Sequence, residues 1–172
     1  VIHLAARVHV MRDSAADPLA EFRRVNTAGT VRLAEQAVRV GVRRLVYLSS
    51  IKALVDESRD QPVTAATSPA ATTPYGLSKL EAERALASIG EETGLEWSVI
   101  RPPLVYGPGV KGNFISLMRA VDRGVPLPLG ALRNRRSLIF VGNLADAVAL
   151  AALHPAARNR LFLVQDGYPL TP

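Results

Sequence analysis

Residues 43–50, RRLVYLSS, and residues 72–86, TTPYGLSKLEAERAL, decide how this chain reads. Leu45 to Leu48 are apolar without alternation, the pattern of a strand covered on both faces, and such strands belong to parallel sheets between helices. We read the strand as Leu45 to Ser49, with Ser49 and Ser50 at its carboxyl end. From Tyr75 to about Thr93 the spacing turns helical. Leu77, Leu80, Ala85, Leu86 and Ile89 are expected inward, Lys79, Glu83, Arg84 and Glu91 outward, and Gly94 ends the helix.

The same alternation continues on both sides. Val1 to Ala5 reads as a short buried strand. Pro18 to Val40 reads as a helix with a broken apolar stripe (Leu19, Phe22, Val25, Leu33, Ala34, Val38), stopped by Gly41 and thinned at Gly29 for a neighbouring element. A proline- and threonine-rich stretch from Asp56 to Pro74 is long for a connector and suits an active-site loop. Trp97 to Ile100 is a further strand, and Pro102 and Pro103 must lie at or past its end because proline donates no ladder bond. A helix is expected over Phe114 to Val121, an extended piece over Leu138 to Val141, a helix capped by Asn143 and running to Leu153, and a last strand over Leu161 to Val164. Alternating strands and helices without repeats predict an α/β fold with a mostly parallel sheet.

Composition narrows the classes. The chain has 172 residues, 48% of them hydrophobic, and its formal net charge is +6, carried largely by arginine. A nucleic-acid surface would want basic and aromatic residues interleaved; only four Phe, four Tyr and one Trp are present, and they form no such ladder. A phosphorylated small ligand explains the charge better than nucleic acid does. No apolar run approaches the ~20 residues of a membrane helix. The N-terminus does not read as a signal peptide. Cysteine is absent, which fits a reducing compartment.

Tyr75 and Lys79 stand at positions i and i+4, on one face of a helix, so the lysine can approach the phenol and favour its ionised form. That makes a candidate acid/base, although the same spacing suits a lysine pointing into water. Ser49 and Ser50, at a strand's carboxyl end, stand where open α/β sheets hold ligands, or simply cap a turn. His3, His9 and His154 match no zinc spacing, so no metal site is expected. Glu81 and Glu83 read as solvated surface rather than an acid–base pair. Gly107, Gly109 and Gly112 precede Asn113 and a helix start, which suits either a phosphoryl oxygen or a plain turn. Arg136 can pair with a phosphate through its guanidinium fork, whereas Arg133 and Arg135 read as surface.

In order and spacing these segments resemble the extended short-chain dehydrogenase/reductase family, in particular its nucleotide-sugar epimerases and dehydratases. VIHLAA, VNTAGT, YLSSIKALVDE, YGLSK, RPPLVYGPG and RRSLIFVGNLADA each match a family segment, with YGLSK as the Y-x-x-x-K signature. The resemblance implies a Rossmann-like sheet with flanking helices, incomplete at its N-terminus, with residues 1–101 as the later portion of a NAD-binding domain. Residues 102–172 would mix nucleotide-sugar-binding segments with returning Rossmann elements. The glycine-rich fingerprint and its acidic ribose partner do not occur and would precede residue 1, so the chain reads as a middle portion.

The resemblance also implies roles. Ser50, Tyr75 and Lys79 would be catalytic. Leu4, Ala5, Ala6, Asn26, Ser49, Tyr75, Lys79, Pro102 and Pro103 would face NAD, and Ser50, Tyr75, Asn113 and Arg136 would face a UDP-sugar. The implied parent is a cytoplasmic, homodimeric 4-epimerase, with a nucleotide-sugar dehydrogenase/reductase or a non-catalytic fragment as alternatives. Tyr75 would exchange the proton of the C4 hydroxyl while hydride moves to and from that carbon. Leu104, where many sugar epimerases carry asparagine, departs from the pattern, as does the absence of a lysine near Val8 and His9. Alone, the 172-residue chain is expected to bind NAD weakly.

Overall fold

A computed structural model describes residues 1–8, 15–57, 61–110, 113–126 and 135–169. Four parallel strands form the main sheet in the order β1 (Ile2–His3), β2 (Arg44–Leu48), β3 (Glu96–Arg101), β6 (Arg160–Leu163). A second parallel pair, β4 (Leu104–Tyr106) and β5 (Leu138–Phe140), branches off after β3. This is the expected Rossmann-like α/β architecture. The strand β4 was not legible in RPPLVYGPG, because three residues between prolines and glycines carry no period.

The uninterrupted apolar run of β2 is explained by burial on both faces. Leu45 and Tyr47 pack with Ala34 and Ala37 of α2 (Ala28–Arg39) and with Ala82 and Leu86 of α3 (Pro74–Thr93). Val46 packs with Ile100, Ile139 and with Leu144, Val148 and Ala151 of α5 (Val141–Leu153) on the other face. The expected helix over 18–40 is one helical run in three parts: α1 (Pro18–Phe22), a π-helical turn over Arg23–Thr27, and α2. The helix α4 covers Asn113–Asp122. Among the described residues no helix is long and apolar enough to cross a membrane.

Several expectations are corrected. β1 is not buried: Val1, Ile2 and Leu4 are about half exposed, because β1 pairs only with β2 among the described residues. Gly29 meets no neighbour that a Cβ would touch. Asn143 does not cap α5, whose N-cap is Phe140. Lys79 and Glu83 face the core rather than water, 2% and 5% exposed, since the sheet's carboxyl end offers each a polar partner.

Candidate active site

Three local devices set Tyr75 and Lys79 in place. The helix α3 starts on Pro74, with the Thr73 hydroxyl accepting from the Gly76 amide at 3.2 Å, and it ends on Gly94 in the left-handed region. Ahead of it, the Asp56 carboxylate accepts from the amides and hydroxyls of both Thr72 and Thr73 at 2.5–3.2 Å. Partial burial alone would raise the Asp56 pKa, but the Thr73 and Thr72 hydrogen bonds outweigh it and hold the carboxyl below its ordinary value. Finally, Gly76 lets α3 touch the turn that follows Ser50: a Cβ there would stand 2.3 Å from the Lys52 carbonyl oxygen.

These devices bring the expected trio together. The Ser50 hydroxyl caps the turn Ile51–Ala53 by accepting from the Lys52 amide at 3.2 Å, and it lies close to the Tyr75 phenol. Burial raises the Tyr75 pKa, and the nearby Ser50 hydroxyl only partly opposes that rise. Lys79 does not lower it, contrary to the reading from i,i+4 spacing. Its ammonium instead donates to the Leu48 carbonyl at 2.9 Å and stands 4.6 Å over the Tyr47 ring. Burial lowers the Lys79 pKa to about 8, with Glu83 pulling it back up.

Asn26 lies at the π-helical turn, a distortion that aims its side chain into the protein. Its carboxamide oxygen accepts from the Arg7 amide at 2.8 Å, and its nitrogen donates to the Arg7 carbonyl at 3.2 Å and to Ser78 Oγ at 3.0 Å. Thus Asn26 ties the segment Leu4–Ala5–Ala6–Arg7, beyond β1, to the turn of α3 between Tyr75 and Lys79. Leu4 and Ala5 are exposed there and Ala6 half-buried. Pro102 is buried and Pro103 half-buried just past β3, and the Pro102 carbonyl accepts from the Ile51 amide at 2.9 Å.

Not every expected residue joins this cluster. The Ser49 hydroxyl donates inward to Glu83. Arg136 is exposed, one residue before Ser137 and β5, and Asn113 opens α4. His9, Gly112 and Arg133 lie outside the described residues. Sequence reasoning missed Asp56, Gly76, Ser78, Glu83, Arg101 and Asp166. The available signal for Glu83 was its place one turn beyond Lys79; Arg101 was signalled by a charge ending an apolar strand.

Residues 1–164 match the model of the NAD dependent epimerase/dehydratase family. The chain belongs to that family. A UDP-glucose 4-epimerase of Vibrio cholerae is 47% identical over 173 residues, covering 99% of this chain and 53% of the relative. The crystal structure of UDP-glucose 4-epimerase with UDP-glucose from Thermotoga maritima superposes with a TM-score of 0.82 at 27% identity, over 99% of this chain and 56% of that one. MoeE5 in complex with UDP-glucuronic acid and NAD gives 0.79 at 31%, over 99% and 57%. The chain therefore spans about half the length of the curated relatives it matches.

Proposed function

We propose that the protein containing this chain is a NAD-dependent nucleotide-sugar 4-epimerase acting on a UDP-sugar, with Tyr75 as its acid/base. The observation that carries this reading is the meeting of Ser50 and Tyr75 at the carboxyl end of β2, with Lys79 one helical turn away. Similarity to the Vibrio cholerae and Thermotoga maritima 4-epimerases supports the reaction, and MoeE5 with bound NAD supports the cofactor. One feature of this chain tests the fit. A lysine ammonium has three donors, and among the described residues Lys79 uses one, on Leu48. The remaining donors suit ribose hydroxyls. When bound, NAD supplies the hydride exchange at the sugar carbon.

The residues of the chain do the rest. Ser50 orients the C4 oxygen by hydrogen bonding, and Tyr75 Oη takes the hydroxyl proton and returns it to the same oxygen. With burial holding the free phenol protonated, charge from bound Lys79 and cofactor must favour the phenolate in the loaded site. Arg136 and Asn113 hold the diphosphate. Replacing Tyr75 by Phe in the natural protein removes the proton carrier and keeps the ring's packing against Phe22, 6.0 Å between centroids. We expect kcat for UDP-galactose to UDP-glucose conversion to fall roughly 10²–10⁴-fold. An unchanged kcat overturns the assignment.

A further inference from the structure

Below the proposed acid–base pair lies a buried charge cluster that the reaction does not itself use. Glu83, one turn beyond Lys79 on α3, accepts from Arg101 Nε at 2.9 Å and from Arg101 Nη2 at 2.5 Å. Its first oxygen also accepts from the Ser49 hydroxyl. Both partners of the ion pair are 5% exposed. Such a pair loses hydration on burial and is weak evidence for net stability, because apolar residues of similar volume often do as well. Its position is more informative. Ser49 precedes Ser50 at the end of β2, Arg101 precedes Pro102 at the end of β3, and Glu83 joins both to the helix that carries Tyr75 and Lys79.

We propose that Glu83, clamped by Arg101 and Ser49, is a positioning residue that sets the stand of α3 at the strand ends and keeps the Lys79 ammonium charged there. This rests on the acid–base reading of Tyr75 and Lys79. The groups facing Lys79 leave few other sources of negative charge. From β1 comes His3, bonded to Thr30 at 3.0 Å and held below its ordinary pKa first by burial and then by the charge of Lys79. From β2 come the Tyr47 ring and the Leu48 carbonyl, and burial pushes the Tyr47 phenol far up, so it stays neutral. On α3 itself stand Tyr75, also pushed up, and Glu83. The Arg101 cation from β3 is matched by Glu83. Among the described residues Glu83 is thus the one carboxylate that favours the ammonium of Lys79.

The test is the titration of Lys79 in the natural protein, read by NMR of 13Cε-labelled lysine and assigned by the signal lost in Lys79→Met. In Glu83→Gln the shape is kept, the carboxylate is gone and the Arg101 charge is unmatched. We expect the Lys79 midpoint to drop by about one pH unit or more, a tenfold loss of proton affinity. Ser49→Ala keeps the carboxylate and should leave the midpoint within a few tenths of a unit. If Glu83→Gln does not fold, Glu83→Gln with Arg101→Met removes both charges. A midpoint below the parent's in that double variant supports the proposal. A parental midpoint in whichever folded variant lacks the carboxylate overturns it and leaves the pair structural. The two readings fail separately: an active Tyr75→Phe enzyme whose Lys79 still responds to Glu83→Gln would end the acid–base reading and keep the charge coupling.

Discussion

The two sides of the candidate site are built differently. Around Tyr75 and Lys79, the polar groups are buried and cross-linked, with Asn26, Ser78, Glu83 and Arg101 all inside the protein. Around the β4–β5 pair, one carboxylate at the surface does the joining. Asp166, in the loop after β6, accepts from the Tyr106 hydroxyl at 2.9 Å, the Phe140 amide at 2.8 Å and Asn143 Nδ2 at 2.8 Å. It thereby ties β4, β5 and α5 together beside exposed Arg136. In the first region, dehydrated charges fix geometry and feel one another strongly. In the second, water screens every contact, so each is weak and the diphosphate of a ligand would supply the strong partner.

The largest effect that separates the regions should be the pH dependence tied to Lys79. Its pKa falls from 10.5 in the unfolded chain to about 8 in the folded one. Between those values the unfolded state binds more protons, so stability must rise as pH rises from about 8 to 10.5, by at most ~3 kcal/mol. Urea unfolding of the natural protein and of Lys79→Met should show that gain in the parent alone. Identical pH profiles would break the claim that this region is dry.

Gly76→Ala comes next. A methyl forced to within 2.3 Å of the Lys52 carbonyl pushes α3 off the Ser50 turn, costing about 1–3 kcal/mol. The urea midpoint should fall and kcat with it, whereas Gly29→Ala, with open space around it, should leave both intact. On the exposed side, Arg136→Ala should weaken UDP-sugar binding by about 1.5 kcal/mol through a lost charge-assisted contact, with kcat preserved. Calorimetry decides it, and unchanged affinity would return Arg136 to the plain surface. Smallest is Asp166→Ala, which should lower the melting temperature less than Gly76→Ala and reduce UDP-sugar affinity by loosening β5. A larger loss than Gly76→Ala gives would reverse the ranking of the two regions.

Much of this was legible in the chain. The apolar run of β2 announced a strand covered twice, and Gly94 marked the end of α3. Tyr75, Lys79 and Ser50 drew notice through helix spacing and strand position. The same spacing misled on Lys79 and Glu83, because charge alone suggests an outward side when the partner is out of sight. Similarly, Asn143 three residues before Asp146 looked like a cap, yet its amide serves Asp166, 23 residues on.

What the sequence determined by itself is therefore local: period, start, stop, and a Tyr–Lys pair whose spacing a helix enforces. Tertiary structure alone decided which charges are buried and whom they meet. Glu83 reaches Arg101 across 18 residues, Ser49 reaches Glu83 across 34, and Tyr106 reaches Asp166 across 60. A periodic pattern reports which face of an element turns inward. It cannot report which partner waits there, because that partner is delivered by sheet order and by the approach of α3 over Gly76.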